Sequence, residues 1–358
     1  MIAVVLVGGE GTRLRPLTLD QPKPVLPIGG IPFVSLLLDR LAEAGVTRTV
    51  LSCGYLPDQL RVGIGAPPAG MVVDVVVEDE PLGTAGAIAF AAAGRVTGPF
   101  LALNGDVLGD ADLGALVRAH LASGARASIG LTPVDDPTRY GVVVRDAAGR
   151  VERFVEKPPN ADGLGPRPWW VNAGLYVLDP SVLELIPAGR MVSIEREVFP
   201  QLVGDGLLAF EDAGYWRDIG TFDSYRAANA DAVSGRVRTR IGGSVDGIII
   251  APSAVVDSSA ELIAPVLVGE HARVEAGATV GPGVVVGAGC TIGARATISD
   301  SVLLAGASVG ASARVESSVL ACAAIVGERA TVMNCAFGTG AVVASGSSLT
   351  GERAAAHV

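Results

Sequence analysis

From residue 256 onward an apolar side chain returns at every sixth position: Val256, Leu262, Val268, Val274, Val280, Val286, Ile292, Ile298 and Leu304. Glycine follows it at Gly269, Gly281, Gly287 and Gly293. A period of six is neither the 3.6 of a helix nor the 2 of a strand. It fits a coil of short parallel strands in which three hexads make one turn. The apolar side chains stack inward as ladders, and small residues make the corners. After Leu304 the register slips by one, and Val309-Gly310, Val315, Val326-Gly327 and Val332 continue the pattern. The sequence therefore predicts a coiled part over 246–358, joined at 234–245 by a linker holding Gly235, Gly242, Gly243 and three arginines.

Residues 1–233 have a different texture. Short β-branched or apolar runs at 2–7, 49–53, 72–78 and 100–104 alternate with helical patterns at 33–44, 84–95 and 110–122. That order predicts a parallel sheet covered on both faces. Further strands are expected at 127–134, 141–146, 151–155 and 171–178, and helical stretches at 193–202 and 222–232. A chain of 358 residues is long enough for two such parts.

Composition removes several function classes. Mean hydropathy is positive, yet no run of about 18 apolar residues is free of charge or Gly/Pro breaks. The N-terminus lacks a basic stretch and runs straight into a glycine loop, unlike a secretion signal. Cys53, Cys290, Cys322 and Cys335 show no C-x-x-C spacing and read as small buried hydrophobes in a reducing compartment. Three scattered histidines make a His-rich metal site a poor expectation. A net charge of −10 disfavours nucleic acid. Of 27 basic residues only Lys23 and Lys157 are lysines, and each precedes a proline. Either this is chance in an Arg-biased chain, or both places need a compact ammonium where a guanidinium fork does not fit. Other signals converge on both places and favour the second.

The first of these is the loop Gly8-Gly9-Glu10-Gly11-Thr12-Arg13 after the first strand. Its glycines allow close backbone approach to a phosphate or a base. It is no Walker A loop, and it is a poor dinucleotide fingerprint because Leu14 replaces the third glycine. Open α/β sheets bind ligands beyond the carboxyl ends of their strands. Asn104-Gly105-Asp106 also lies at such an end. Asp106 reads as a hard-oxygen ligand for magnesium or as a turn residue. Asp218, in Trp216-Arg217-Asp218-Ile219-Gly220, reads as a second ligand or as a helix cap.

GGEGTRLRPLT, PKP, NGDV, FVEKP, VNAGLY and WRDIGT, in this order, resemble the sugar-1-phosphate nucleotidyltransferases over residues 2–226. The hexads resemble a left-handed β-helix. The resemblance implies an α/β fold class: a Rossmann-like nucleotidyltransferase domain with a mixed, mostly parallel sheet, then a C-terminal left-handed β-helix of hexapeptide repeats. EPLGTAG at 80–86, YGVV at 140–143 and SIEREVFP at 193–200 are similar to the branch that takes GTP and mannose 1-phosphate. The implied reaction gives GDP-mannose and pyrophosphate, with Mg²⁺ as cofactor. By resemblance, Arg13 and Lys23 hold the triphosphate and stabilise the leaving pyrophosphate. Asp106 and Asp218 bind Mg²⁺. Leu6, Gly8, Gly9, Gly11, Thr12, Glu78, Gly83 and Thr84 form the nucleotide side. Lys157 contacts the sugar phosphate, and Gly141, Glu156 and Asn172 hold the sugar hydroxyls.

Glu78 suggests the base. An ionised carboxylate only accepts hydrogen bonds. Guanine offers two adjacent donors to it, whereas uracil or thymine would set a carbonyl against it. Glu78 is therefore expected to select guanine, unless Glu78, Asp79 and Glu80 form only a solvated acidic turn. Two other readings stand beside this one. One is the same chemistry with glucose 1-phosphate and UTP, dTTP or ATP. The other is a non-catalytic regulatory subunit that binds nucleotide sugars, against which the full charged set speaks. Trp169-Trp170 and His271 are expected to be packing and surface residues. The whole is expected to be a cytoplasmic homo-oligomer assembled through the β-helix, with no nucleic acid or membrane partner.

Overall fold

A computed structural model describes residues 1–165, 167–241 and 246–355. Gly242 and Gly243 of the expected linker, and 356–358 of the expected coil, lie outside the described residues. By contact the chain divides into two units: Met1–Gly9 with Leu37–Trp216, and Glu10–Leu36 with Arg217–Val358.

The first unit is built on nine strands: β1 (Ile2–Leu6), β2 (Arg48–Cys53), β3 (Val72–Val77), β4 (Phe100–Asn104), β5 (Ala127–Val134), β6 (Gly141–Arg145), β7 (Val151–Glu156), β8 (Trp169–Leu178) and β9 (Leu207–Glu211). Their order is β7-β6-β8-β4-β1-β2-β3, with β5 pairing with both β8 and β9. The β4-β1-β2-β3 half is parallel, and β8 runs antiparallel to β4, β5 and β6. Parallel strands buried on both faces are apolar throughout. Accordingly Ala3, Val4, Val5, Leu101, Ala102 and Leu103 are fully buried. The helices are α1 (Phe33–Glu43), which spans the division, α2 (Pro57–Gly63), α3 (Gly83–Ala92) and α4 (Leu113–Ser123). α3 is small and apolar on nearly every side, so Ala85, Ile88, Ala91 and Ala92 are all buried.

Three differences from the expected elements have local causes. The stretch at 193–202 is a wide π turn, Ile194–Val198, running into a short helical turn, Phe199–Leu202. There the Ser193 side chain caps Arg196 N, and Pro200 removes a helix donor. α2 follows Leu56 in the left-handed region. β9 is only five residues long and escapes a periodicity reading.

In the second unit, the chain from 246 to 355 winds through three parallel sheets of seven, six and six strands, the arrangement of a left-handed β-helix. The early turns take eighteen residues, Ile248 lying beside Val266 and Val266 beside Val284. Later turns take seventeen, as Val285–Val302, Val302–Val319 and Val319–Ala336 show. The inward ladder therefore runs Val286, Ile292, Ile298, Leu303, Val309, Val315, Leu320, Val326. Leu303, not the expected Leu304, takes the ninth place, and the slip recurs once per turn. The shortened corner carries Asp300, Ser317 and Asn334, each at positive φ (43°, 48° and 52°). The glycines of the repeat are needed by close approach: a Cβ at Gly310 would lie 2.5 Å from Glu328 N, and one at Gly327 2.5 Å from Ser345 N.

The second unit also holds α5 (Phe222–Val233), opened by a Thr221–Ser224 capping box. α5 lies on the seven-stranded sheet of the coil. All four cysteines are free. Cys53, Cys290 and Cys335 are buried as expected, and burial pushes the Cys290 thiol up to about 11. Cys322 corrects the expectation, being only half-buried at a corner of the coil.

Candidate active site

In the first unit, β1 and β4 are neighbours with Leu6 opposite Asn104, so the glycine loop and the Asp106 turn leave from adjacent strand ends. Gly105 N donates to Leu6 O at 2.9 Å, and a Cβ at Gly105 would lie 2.6 Å from that oxygen. Only glycine brings Asp106 to this place without moving β1. A Cβ at Gly8 would lie 3.1 Å from Gly54 N and 3.3 Å from Glu78 Oε1. Gly9 is open to solvent.

The Glu78 carboxylate is held rather than solvated. Ser52 Oγ donates to Oε1 at 2.9 Å, and Leu82 N donates to Oε2 at 3.2 Å. Each oxygen keeps acceptor capacity after these bonds. Asp79 and Glu80 are the exposed residues of this turn. Gly83 sits at φ 71° with its Cβ position 2.6 Å from Val192 O. The Thr84 hydroxyl is engaged within the protein, donating to Glu195 Oε2 and accepting from Ile194 N, each at 2.8 Å.

A bulge in β8 between Asn172 and Leu175 re-aims Asn172. Its Oδ1 accepts from Gly174 N, and its Nδ2 donates to the Tyr176 hydroxyl, each at 2.9 Å. Glu156 lies under Gly141, where a Cβ would come 2.7 Å from Glu156 Oε2. Burial, and then the Glu195 charge, raise the Glu156 carboxyl above its ordinary range, against the pull of Lys157, whose Nζ is 3.7 Å away. Lys157 holds φ 48° immediately before a proline, a conformation unusual for a non-glycine residue. Its ammonium is largely exposed.

The second unit brings together Gly11, Arg13, Lys23 and Asp218. Gly11 at φ 63° opens a 3₁₀ turn, Thr12–Leu14, and accepts a hydrogen bond from Thr18 Oγ1 at 2.9 Å. A Cβ at Gly11 would lie 3.4 Å from Lys23 Cβ. Lys23 is nine-tenths buried, with Nζ 4.0 Å from Asp218 Oδ1. The Cβ position of Gly220 lies 2.8 Å from Arg13 Nη2 and 3.1 Å from Asp218 Oδ1. Two cations and one carboxylate thus share one small region.

A family model described as Nucleotidyl transferase matches residues 2–235. The chain belongs to that family. A second model, described as GMPPB C-terminal domain, matches 262–357. This nucleotidyl transferase is similar to a mannose-1-phosphate guanylyltransferase of Mycobacterium tuberculosis, 40% identical over 285 residues, 78% of this chain and 76% of that protein. It is also similar to probable mannose-1-phosphate guanylyltransferase 2 of Arabidopsis thaliana, 39% identical over 79% of this chain and 75% of that one. Among solved structures, HddC from Yersinia pseudotuberculosis superimposes with a TM-score of 0.54 at 32% identity, covering 64% of this chain and 97% of that one. HddC has also been crystallised complexed with GMP-PN.

Sequence reasoning about the nucleotidyl transferase missed two residues that organise its first unit. Ser52 orients Glu78, and nothing in a strand serine announces that. Glu195 ties Thr84 to Ser193, whose Oγ donates to Glu195 Oε2 at 2.7 Å, and it bears on Glu156. Glu195 lies within the SIEREVFP stretch, where no spacing marks its role. Trp169 is buried, with Arg167 4.7 Å above its ring, and His271 is exposed. Both match their expected places. Among the described residues no helix is long and apolar enough to cross a membrane.

Proposed function

We propose that the protein transfers a guanylyl group from GTP to mannose 1-phosphate, giving GDP-mannose and pyrophosphate. The observation that carries this is the likeness, over more than three quarters of the chain, to proteins named for that activity. The fixed Glu78 carboxylate beside Gly8 supports the choice of guanine, because it can accept from two adjacent donors.

In the reaction an oxygen of the sugar phosphate attacks the α-phosphorus in line. The new P–O bond forms as the bond to the β-phosphate bridging oxygen breaks, and pyrophosphate departs. The nucleophile needs no dedicated base, since a phosphate monoester is largely dianionic at pH 7. What remains is positioning and neutralisation of charge. Arg13 and Lys23 would stabilise the α-phosphate and the leaving group. Lys157 would hold the sugar phosphate, and Glu156, Asn172 and the Gly141 backbone the sugar hydroxyls.

Asp106 and Asp218 would hold Mg²⁺, which when bound neutralises phosphate oxygens. Two hard carboxylates fit Mg²⁺, which takes one or two of them and fills its shell with water and substrate phosphates. The same reading makes the protein a cytoplasmic homo-oligomer. Ile250 and Val255, exposed on the first turn of the coil, support assembly there.

The experiment is pyrophosphate release with Mg²⁺ from GTP, UTP, dTTP and ATP, each against mannose 1-phosphate and glucose 1-phosphate. Release confined to GTP with mannose 1-phosphate is expected. Release with a pyrimidine nucleotide and glucose 1-phosphate instead would overturn the substrate pair.

A further inference from the structure

Residues 10–36, which carry Arg13 and Lys23, share a contact unit with the coil. Their anchors are specific. Tyr225 of α5 donates its hydroxyl hydrogen to Pro27 O at 2.6 Å, and Gly29 N donates to Asn229 Oδ1 at 2.8 Å. Tyr225 and Asn229 are four residues apart and so share one face of α5. On the coil itself, Gln21 Nε2 lies 3.7 Å from Cys322 Sγ, and Pro16 packs against Gly338. α5 also follows directly on Asp218-Ile219-Gly220.

α5 is in turn fixed to the coil by Arg226. Its side chain is nine-tenths buried and donates to the Asp300 carboxylate, to Asp300 O at 3.1 Å and to Asp223 Oδ1 at 2.7 Å. Asp300 occupies a left-handed corner of the coil. Its Oδ2 also accepts from Ser317 Oγ at 2.9 Å, and its N donates to Pro282 O at 2.8 Å. Only the Arg226 end of the pair is buried, the Asp300 carboxylate being half exposed. The cost of dehydrating the guanidinium offsets much of the attraction, and the best-attested use of such a pair is to fix register. Here it lies next to Tyr225 and one helical turn from Asn229, the two residues that hold the loop.

We infer that Arg226 and Asp300 are positioning residues for nucleotidyl transfer. The pair sets the register of α5 on the coil, and through Tyr225 and Asn229 it places the loop bearing Arg13 and Lys23. The inference rests on the proposed function for the roles of those two cations. On this account the β-helix is the bed of the phosphate-handling loop as well as an assembly surface.

The test uses the full chain with D300N, R226Q, the double variant and S317A. Steady-state kinetics are read beside hydrogen exchange over 10–36, 37–216 and the coil. D300N is expected to lower kcat by roughly 10- to 100-fold, the scale of a small misplacement of catalytic groups. KM for the sugar phosphate stays unchanged. Exchange quickens over 10–36 and 221–233 while 37–216 stays as in the wild type. The double variant is expected to lose no more than the worse single one, and S317A shows a smaller change in the same direction. Wild-type kcat and exchange in D300N overturn the inference. So does exchange that quickens evenly along the chain in D300N and S317A, which assigns the pair to stability alone. If D300N does not fold, S317A decides by the same readouts. A wild-type protein that releases no pyrophosphate from any substrate pair sinks the proposed function, and the exchange pattern still decides the anchoring.

Discussion

The Lys23 ammonium stands 4.0 Å from the Asp218 carboxylate, and the lysine is nine-tenths buried. A compact ammonium on a flexible stem fits that space, whereas a planar guanidinium brings a wider fork. K23A is expected to lower kcat by about 100- to 1,000-fold, the range for removing one preorganised charge-stabilising group. K23R is expected to recover little of it. Pyrophosphate release at saturating substrate checks both, and full activity in K23R would show that only the charge matters.

Glu78 is held by Ser52 and by the Leu82 amide. E78Q replaces one acceptor with a donor facing the base. The ratio of kcat/KM for GTP to that for UTP is expected to fall about 10- to 100-fold, on the scale of one bidentate base contact, ~1–3 kcal/mol. S52A should move the ratio the same way by less. An unchanged ratio in E78Q removes Glu78 from base selection.

Glu156 has a raised carboxyl, chiefly from burial and then from Glu195. As an ionised acceptor for sugar hydroxyls it works only above its folded pKa, so the acid limb of kcat/KM lies above the ordinary 4.5. E195Q removes the repelling charge and should carry that limb to lower pH. Comparing variant and wild type over one pH series cancels the titration of the phosphate substrate. For folding the sign is opposite. A carboxyl raised in the folded state favours folding below its unfolded pKa, and this contribution fades as pH rises through the folded value.

At Gly281 φ is 116° and a Cβ would lie 1.9 Å from Ile263 O. G281A therefore meets both a forbidden backbone conformation and a backbone atom. A loss of about 3 kcal/mol or more is expected, read as a lower urea midpoint with an unchanged slope. A midpoint at the wild-type value would mean that this corner relaxes freely.

Much of the fold is legible in the chain because its signals are local. Val and Ile runs mark the central strands, and the hexads from Val256 mark the coil. What escapes is set by contacts between distant residues. Glu10–Leu36 groups with Arg217–Val358, where Tyr225 meets Pro27 and Asn229 meets Gly29, and no spacing rule carries that. The recurring slip at Asp300, Ser317 and Asn334 hides because each corner looks like an ordinary polar turn. At the site, the charged residues are visible as unusual lysines and strand-end aspartates. Ser52 and Glu195 act on other side chains, so their roles surface only in the folded chain.

The change from eighteen to seventeen residues per turn bears on how such a chain can grow or shrink over generations. Removing seventeen residues from 302 to 318 would lay Val319 where Val302 now sits beside Val285, and each ladder would close over the gap. Removing a single hexad would instead hand every later strand to the neighbouring sheet, carrying polar faces into positions shaped for another side of the prism. The heritable unit of this part of the molecule is thus the whole rung, although the motif that reveals it is only six letters long.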